Sequence, residues 1–356
     1  MRNTGTRGYS GYRGRRPNGR KWLVLALVLI ILAAAAFLVV QRWMVYDMDG
    51  TFHFELPWFR RGDSGSSDSP KMRLRTRQDL EIVIEEPTPA ETAKKELRAL
   101  ELDDTALSGG VERALEALPQ GINAVAVRLR TANGELLYPS ALPAAIEAKA
   151  VAGGSIARSS IEELTAADYY TIARLSALHD SHFAAAHKAE AAIQQKQYRN
   201  EVWYAPDNTF YLAPEKELTR EYLASIAGEV AALGFDELLF DEFAYPTAGR
   251  LNNIRTDERD MTQQEALSLL AGSLREALSA TDAKLSLVMD EATVLAGGNA
   301  TSGQDLALLA RAFDRIYVPT TAEQLPALEA ALEPYPAELV PILTEPPETG
   351  NYLISE

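Results

Sequence analysis

From about residue 94 to its end, this chain alternates short apolar, β-rich runs with longer segments whose apolar residues recur every three or four positions. Strands are expected at 96–102, 124–129, 170–177, 237–241, 284–289, 315–318, 339–343 and 352–354, and helices most clearly at 109–118, 217–233, 262–279, 303–312 and 322–332. In the helix before the fourth strand, Leu218, Tyr222, Ile226, Val230 and Leu233 form one apolar stripe and Gly234 supplies the stop. Strand alternating with helix implies a parallel sheet covered by helices. Eight strands over about 260 residues predict a (β/α)8 TIM barrel, whose usual size is ~250 residues. A doubly wound open sheet competes, yet no glycine-rich nucleotide loop supports it. The pattern stops on its eighth strand, so the last helix is expected to be missing or replaced by residues 80–93.

The N-terminal part reads differently. The formal charge of −15 includes +7 from residues 1–21, which hold six Arg, one Lys and no acid, so the remainder carries −22. That split argues against nucleic-acid binding by the main domain. From Trp22 to Val40 the sequence is uninterruptedly apolar, long enough to cross a bilayer core of roughly 30 Å as a helix. Residues 22–42 are expected to be a transmembrane signal anchor, with a cleaved signal peptide as the alternative. The basic tail 1–21 then stays cytoplasmic and the C-terminal domain lies outside, attached to the cell membrane. Residues 43–79 read as a juxtamembrane segment and flexible linker, with a small hairpin around Asp49-Gly50, and residues 80–356 as the barrel. There are no cysteines, which removes disulfides and thiolate metal sites.

In a parallel barrel the chemistry sits where strands end. Reading the ends off gives His179 and Asp180, then Asp241 and Glu242, Asp290 and Glu291, Thr320, and Glu345. Carboxylates dominate, and glycoside hydrolysis needs two of them across a scissile bond. Period-two alternation puts Leu239 with Asp241 on one face, and Ser286 and Val288 with Asp290, while Leu285, Leu287 and Met289 face the helices. Asp241 and Asp290 are therefore the expected catalytic pair; Glu242 points away from the axis unless the strand has already ended. The competing role for both aspartates is a helix N-cap, or pairing with Arg250 or Arg255. Sugars also stack on flat side chains, and the segment before the fourth strand offers Tyr198, Trp203, Tyr204, Phe210 and Tyr211, with Asp207-Asn208 at a turn. Trp203 and Tyr211 are the preferred platforms, and Asp180, Glu242 and Glu345 further substrate-binding groups. His179, His182 and His187 lack a metal-site spacing, and neither a GxSxG elbow nor a P-loop occurs. No cofactor or metal is expected.

The run Val202-Trp203, Tyr211-Leu212-Ala213-Pro214, Tyr222, Gly234-Phe235-Asp236-Glu237-Leu238-Leu239-Phe240-Asp241 and Tyr245-Pro246 resembles a bacterial "putative glycoside hydrolase" family. That family has a TIM barrel related to the alpha-amylase superfamily, with a GFDEIQFDYVRFP-type motif and an upstream W-x-D-P. The resemblance is specific across Trp203 to Pro246, with echoes in Ile172-Ala173-Arg174, Ser286 with Asp290, and Phe313 to Pro319. It implies that Asp241 holds the fourth-strand acid position, the nucleophile of amylase-like enzymes. The chain is a divergent member: Ala244 stands at the motif's arginine, Ala213 at the acid of W-x-D-P and Tyr211 at its tryptophan. Chitinases also begin their fourth strand Gly-Phe-Asp, but here the glutamate, Glu242, comes one residue early. The expected function is a membrane-anchored hydrolase of a polysaccharide or cell-envelope glycan. The alternative is an inactive carbohydrate-binding or scaffold barrel at the cell surface.

Overall fold

The computed structural model describes residues 44–46, 52–54 and 96–355, apart from 104, 152–155 and 257–259. The chain divides into two compact units, 1–86 and 87–356. In the first, Met44–Tyr46 pairs antiparallel with Phe52–Phe54, the small hairpin expected around Asp49-Gly50. Among the described residues no helix is long and apolar enough to cross a membrane; the anchor expected at 22–42, the linker to 79 and the segment 80–93 lie outside them.

The second unit is a closed barrel of eight parallel strands: β1 (Arg98–Leu102), β2 (Ala124–Arg130), β3 (Tyr170–Ser176), β4 (Glu237–Asp241), β5 (Lys284–Val288), β6 (Arg315–Pro319), β7 (Glu338–Leu343) and β8 (Tyr352–Ile354). Each strand pairs with its sequence neighbour, and β8 returns to β1 with Leu353 opposite Ala99. The wall is clothed by helices α1 (Val111–Glu116), α2 (Pro143–Glu147), α3 (Arg158–Thr165), α4 (Ser181–Ala186), α5 (Glu217–Ala232), α6 (Gln263–Ala277), α7 (Glu291–Leu295), α8 (Leu306–Ala312) and α9 (Leu325–Leu332).

Alternation sorts the side chains into two cores. Ala99, Ala124, Ala126, Ile172, Leu239, Tyr317, Val340 and Leu353 fill the interior. Leu238, Phe240, Leu285, Leu287 and Met289 pack outward with the helices, as period two requires. Two devices fix the flanks of β4. Gly234, at φ +95°, ends α5 in a conformation that glycine adopts without strain. Thr262 caps α6 reciprocally with Glu265 in a capping box. At the N-terminal end of the barrel, buried Glu237 takes Arg315 and, at 2.8 Å, the Tyr317 hydroxyl. Arg315 also reaches Glu338 and Tyr170, so this charged plug is internally satisfied.

Candidate active site

At the C-terminal end of the strands, inward positions become charged. Glu101 lies on the inward row of β1, Arg128 on that of β2, Arg174 on that of β3 and Asp241 on that of β4. Arg128 and Arg174 are directly paired across β2 and β3, an arrangement that repels unless anions flank it. They do flank it. Asp241 Oδ2 accepts from Arg128 Nη1 at 3.0 Å and from Arg174 Nε at 2.9 Å. On the other side Glu101 Oε2 accepts from Arg174 Nη1 and from the Ser355 hydroxyl, both at 2.6 Å, and its Oε1 lies 3.6 Å from Arg128 Nη2. Two guanidinium groups thus hold one oxygen of Asp241, while Oδ1 is buried and, among the described residues, has no hydrogen-bond partner. Glu101, Asp103, Arg128, Arg174, Thr131 and Ser355 line a cavity of about 720 Å³ on this side of the mouth.

The next residue breaks the strand's rhythm. Glu242 has φ +51°, a left-handed conformation that costs a non-glycine residue about 1 kcal/mol or more. The kink turns its side chain toward the mouth, where it shares a cavity of about 350 Å³ with Tyr211, Tyr245, Asp290, Asn299 and Gln304. Glu242 is exposed overall, but local desolvation against the cavity wall, and then the Asp241 carboxylate beside it, raise its pKa; His179, Arg128 and Arg174 pull it the other way. Two neighbouring carboxyls at the strand end therefore sit in different environments, one clamped by cations and one pushed toward its neutral form.

The other expected residues fall into distinct places. Tyr211 lines the Glu242 cavity and stacks flat on His179, with ring centroids 4.5 Å apart and planes 6° apart; burial and the Glu242 and Asp207 charges raise its pKa to about 12. Asp290 lines the same cavity, but each of its oxygens is occupied: Oδ1 caps α7 through Thr293 N at 2.8 Å and Oδ2 accepts the Thr293 hydroxyl at 2.6 Å. Glu345 is exposed on the loop after β7. Two expectations need correction. Trp203 is only 2% exposed and donates Nε1 to the Arg250 carbonyl, so no ring face is open to a sugar. Its neighbour Tyr204 is 50% exposed instead, braced edge-on by Phe210 at 5.2 Å. Asp180 is fully buried, paired with Arg130 and capping α4 through Phe183 N. A Cβ at Gly134 would fall 2.2 Å from its carboxyl carbon, so a loop seals it from ligand. The guanidinium groups on Asp241 are those of Arg128 and Arg174, from β2 and β3.

The family model described as "Putative glycosyl hydrolase domain" matches residues 105–319, well over half the chain. The chain belongs to this family. The match spans β2 to β6, and β1, β7 and β8 close the barrel beyond it. Among curated proteins nothing matches. Among solved structures, a hypothetical protein from Ruminiclostridium thermocellum is 24% identical, with 53% of this chain and 96% of that one covered and a TM-score of 0.45. The glycoside hydrolase domain of PgaB (BpsB) from Bordetella bronchiseptica is 14% identical, with 69% and 82% covered and a TM-score of 0.49. A GH20 exo-β-N-acetylglucosaminidase from Vibrio harveyi is 11% identical, with 69% and 41% covered and a TM-score of 0.46.

This member of the family has Ala244 where the motif it resembles has an arginine. The structure supplies guanidinium groups from β2 and β3 instead, two of them on Asp241 Oδ2. Sequence reading missed Glu101, Arg128 and Ser355 altogether and met Arg174 only as part of an echo. A signal existed: Arg128 follows Ala124 and Ala126 at period two, and Arg174 follows Tyr170 and Ile172. Charges on the inward face of a barrel strand demand partners.

Proposed function

We propose that the barrel is a glycoside hydrolase acting on a polysaccharide with Asp241 and Glu242 as its two working carboxyls. The observation that carries this is the asymmetry of the pair. Asp241, held by Arg128 and Arg174 through Oδ2 with Oδ1 buried and unpaired among the described residues, suits a nucleophile or a stabiliser of positive charge on the sugar. Glu242, with a raised pKa, suits the proton donor to the leaving oxygen. Glu242 is preferred to Asp290 as the acid because both Asp290 oxygens are spent on Thr293; Asp290 then serves as a wall of the same cavity. Tyr211 and Tyr204 supply flat surfaces for sugar rings. In this reading residues 22–42 anchor the chain in the cell membrane with the barrel outside, so that it meets a cell-envelope or environmental glycan.

The test is hydrolysis of a broad glycan panel by the full chain, compared with Asp241→Asn and Glu242→Gln. Loss of cleavage by 10²-fold or more in each variant, with glycan binding kept, supports the pair. Binding without cleavage by the unaltered chain would establish the other reading, a carbohydrate-binding barrel, which the mutual neutralisation of Glu101, Arg128, Arg174 and Asp241 favours.

A further inference from the structure

The cavity that holds Glu242 has a wall to which the hydrolytic pair assigns no role, the hairpin between α7 and α8. There Gly298–Asn299 pairs antiparallel with Gln304–Asp305, and the hairpin is fastened to the segment that follows Glu242. Tyr245 N donates to the Ser302 carbonyl at 2.9 Å, and Gln304 Nε2 donates to the Phe243 carbonyl at 3.2 Å. Most polar groups of this wall are engaged within the protein. The Ser302 hydroxyl donates to the Asn299 carbonyl at 3.1 Å, and both oxygens of Asp290 are held by Thr293. Asn299 differs. Its Oδ1 accepts Thr301 N at 3.0 Å and Ser302 N at 3.3 Å, an Asx turn that fixes which end of the amide meets the backbone. Nδ2, the other end, donates to no partner among the described residues. Half-buried Asn299 lines the cavity together with Glu242 and Tyr211, so its two N–H hydrogens are donors that this wall offers a ligand.

Charge narrows the ligand. Glu242 and Asp290 bring two carboxyls to the lining, and among the described residues neither lysine nor arginine lines this cavity. Arg128 and Arg174 line the other one, engaged by Asp241 and Glu101. A uronate, sulfate or phosphate on the sugar would therefore enter uncompensated. A protonated amine suits the carboxyls but has no lone pair to accept from Asn299. An uncharged sugar meets both demands, its oxygens accepting from Nδ2 and its hydroxyls donating to the carboxyls. We propose that Asn299 is a substrate-contacting residue that donates to an oxygen of the sugar seated beside Glu242, and that this subsite takes uncharged sugars in preference to acidic or amino sugars. The proposal rests on Glu242 being a working carboxyl of the site.

The test is binding of the full chain to an array of neutral hexose, N-acetylhexosamine, free hexosamine and uronate oligosaccharides, with titration of those bound and melting of each variant. Asn299→Asp and Asn299→Ser both keep an oxygen for the turn and lose the N–H donors. Ser brings no charge, so a loss common to the two belongs to the donors. Uncharged oligosaccharides are expected to be the ones bound, with affinity about tenfold lower in both variants and Tm held in Asn299→Asp. Asn299→Ala also strips the turn of its acceptor and should lower Tm. Preference of the unaltered chain for uronates or free hexosamines, or equal affinity in the Asp and Ser variants, would overturn the proposal. Cleavage of a glycan that both variants bind as tightly as the unaltered chain would keep the hydrolase reading and remove Asn299 from it. Weakened binding of uncharged glycans in the variants of a chain that cleaves none would do the reverse, and an array with no bound glycan would overturn both.

Discussion

Replacing each of the two adjacent acids by its own amide should move stability in opposite directions, although the substitutions are one residue apart and equally small. Asp241 Oδ2 receives two guanidinium hydrogen bonds at 2.9 and 3.0 Å, with the Asp241 side chain 11% exposed and those of Arg174 and Arg128 14% and 30% exposed. Hydrogen bonds to charged groups contribute roughly 1.5–3 kcal/mol each, and a neutral acceptor keeps about half of that. Asp241→Asn should therefore cost about 2 kcal/mol, and leaves two cations facing Glu101 alone. For a domain of this size that lowers Tm by roughly 4–8 °C. Glu242 behaves inversely. Its folded pKa lies above the ordinary 4.5, so the folded chain holds this proton to higher pH than the unfolded chain. Stability is consequently lost as pH rises from 4.5 through the raised value, and the full cost persists above it. Gln carries no such cost. Glu242→Gln should raise Tm at neutral pH, with the gain shrinking to nothing below pH 4.5. Calorimetry of both variants between about pH 4 and pH 8 decides the matter: a shared sign at neutral pH, or a Glu242→Gln gain independent of pH, refutes the reading of the mouth.

Gly134→Ala puts a methyl group 2.2–2.7 Å from the Asp180 carboxyl at φ +87° and should destabilise by about 3 kcal/mol or more, seen as a large fall in Tm; a near-neutral effect would mean that the loop does not seal that ion pair. Tyr204→Ala should weaken glycan binding by about tenfold without changing Tm, whereas Trp203→Phe should lower Tm by removing the Arg250 contact and leave affinity untouched; isothermal titration and melting on the same samples separate them. Asp290→Ser keeps a capping oxygen for α7, so it should preserve stability within about 0.5 kcal/mol, and Asp290→Ala should cost about 1 kcal/mol. For residues 22–42, protease added to intact cells should digest the barrel, and full protection of it would exclude the outward orientation.

The barrel was legible because its signals are local. Each strand is a short apolar run bounded by a turn or a capped helix, and the expected bounds of the fourth and eighth strands, 237–241 and 352–354, agree with those observed. The elements not foreseen, α2, α3, α4 and α7, have five to eight residues, too few turns for a helical period to stand out. Alternation likewise placed Asp241 inward. Glu242 is legible as a substrate-binding group, but its turn toward the mouth is not, because a left-handed glutamate has no sequence mark as glycine would. The Glu101–Arg128–Arg174–Asp241 ring joins residues up to 140 positions apart through strand register, which no single segment contains. Trp203 misled because an aromatic in a loop looks the same whether its indole is exposed or spent on a carbonyl.

The same barrel carries two charged layers, and their contrast separates scaffolding from chemistry. At the N-terminal end, Glu237, Arg315, Glu338, Tyr170 and Tyr317 bond to one another, and among the described residues none of their atoms is a buried orphan. Such a network holds geometry and offers nothing to a ligand. At the C-terminal end the Glu101–Arg128–Arg174 group is equally well bonded, yet it stops one oxygen short: among the described residues Asp241 Oδ1 is buried and unpaired, a condition that costs about 1–3 kcal/mol. The following residue adds a strained backbone and a carboxyl with a raised pKa. A purely structural ring would lose these three costs under mutation, since Asn, Gly or Gln at either position relieves at least one of them. Their concentration on two adjacent residues, at the one end of a parallel barrel where side chains converge on solvent, is what a site held ready for a substrate's polar atoms requires.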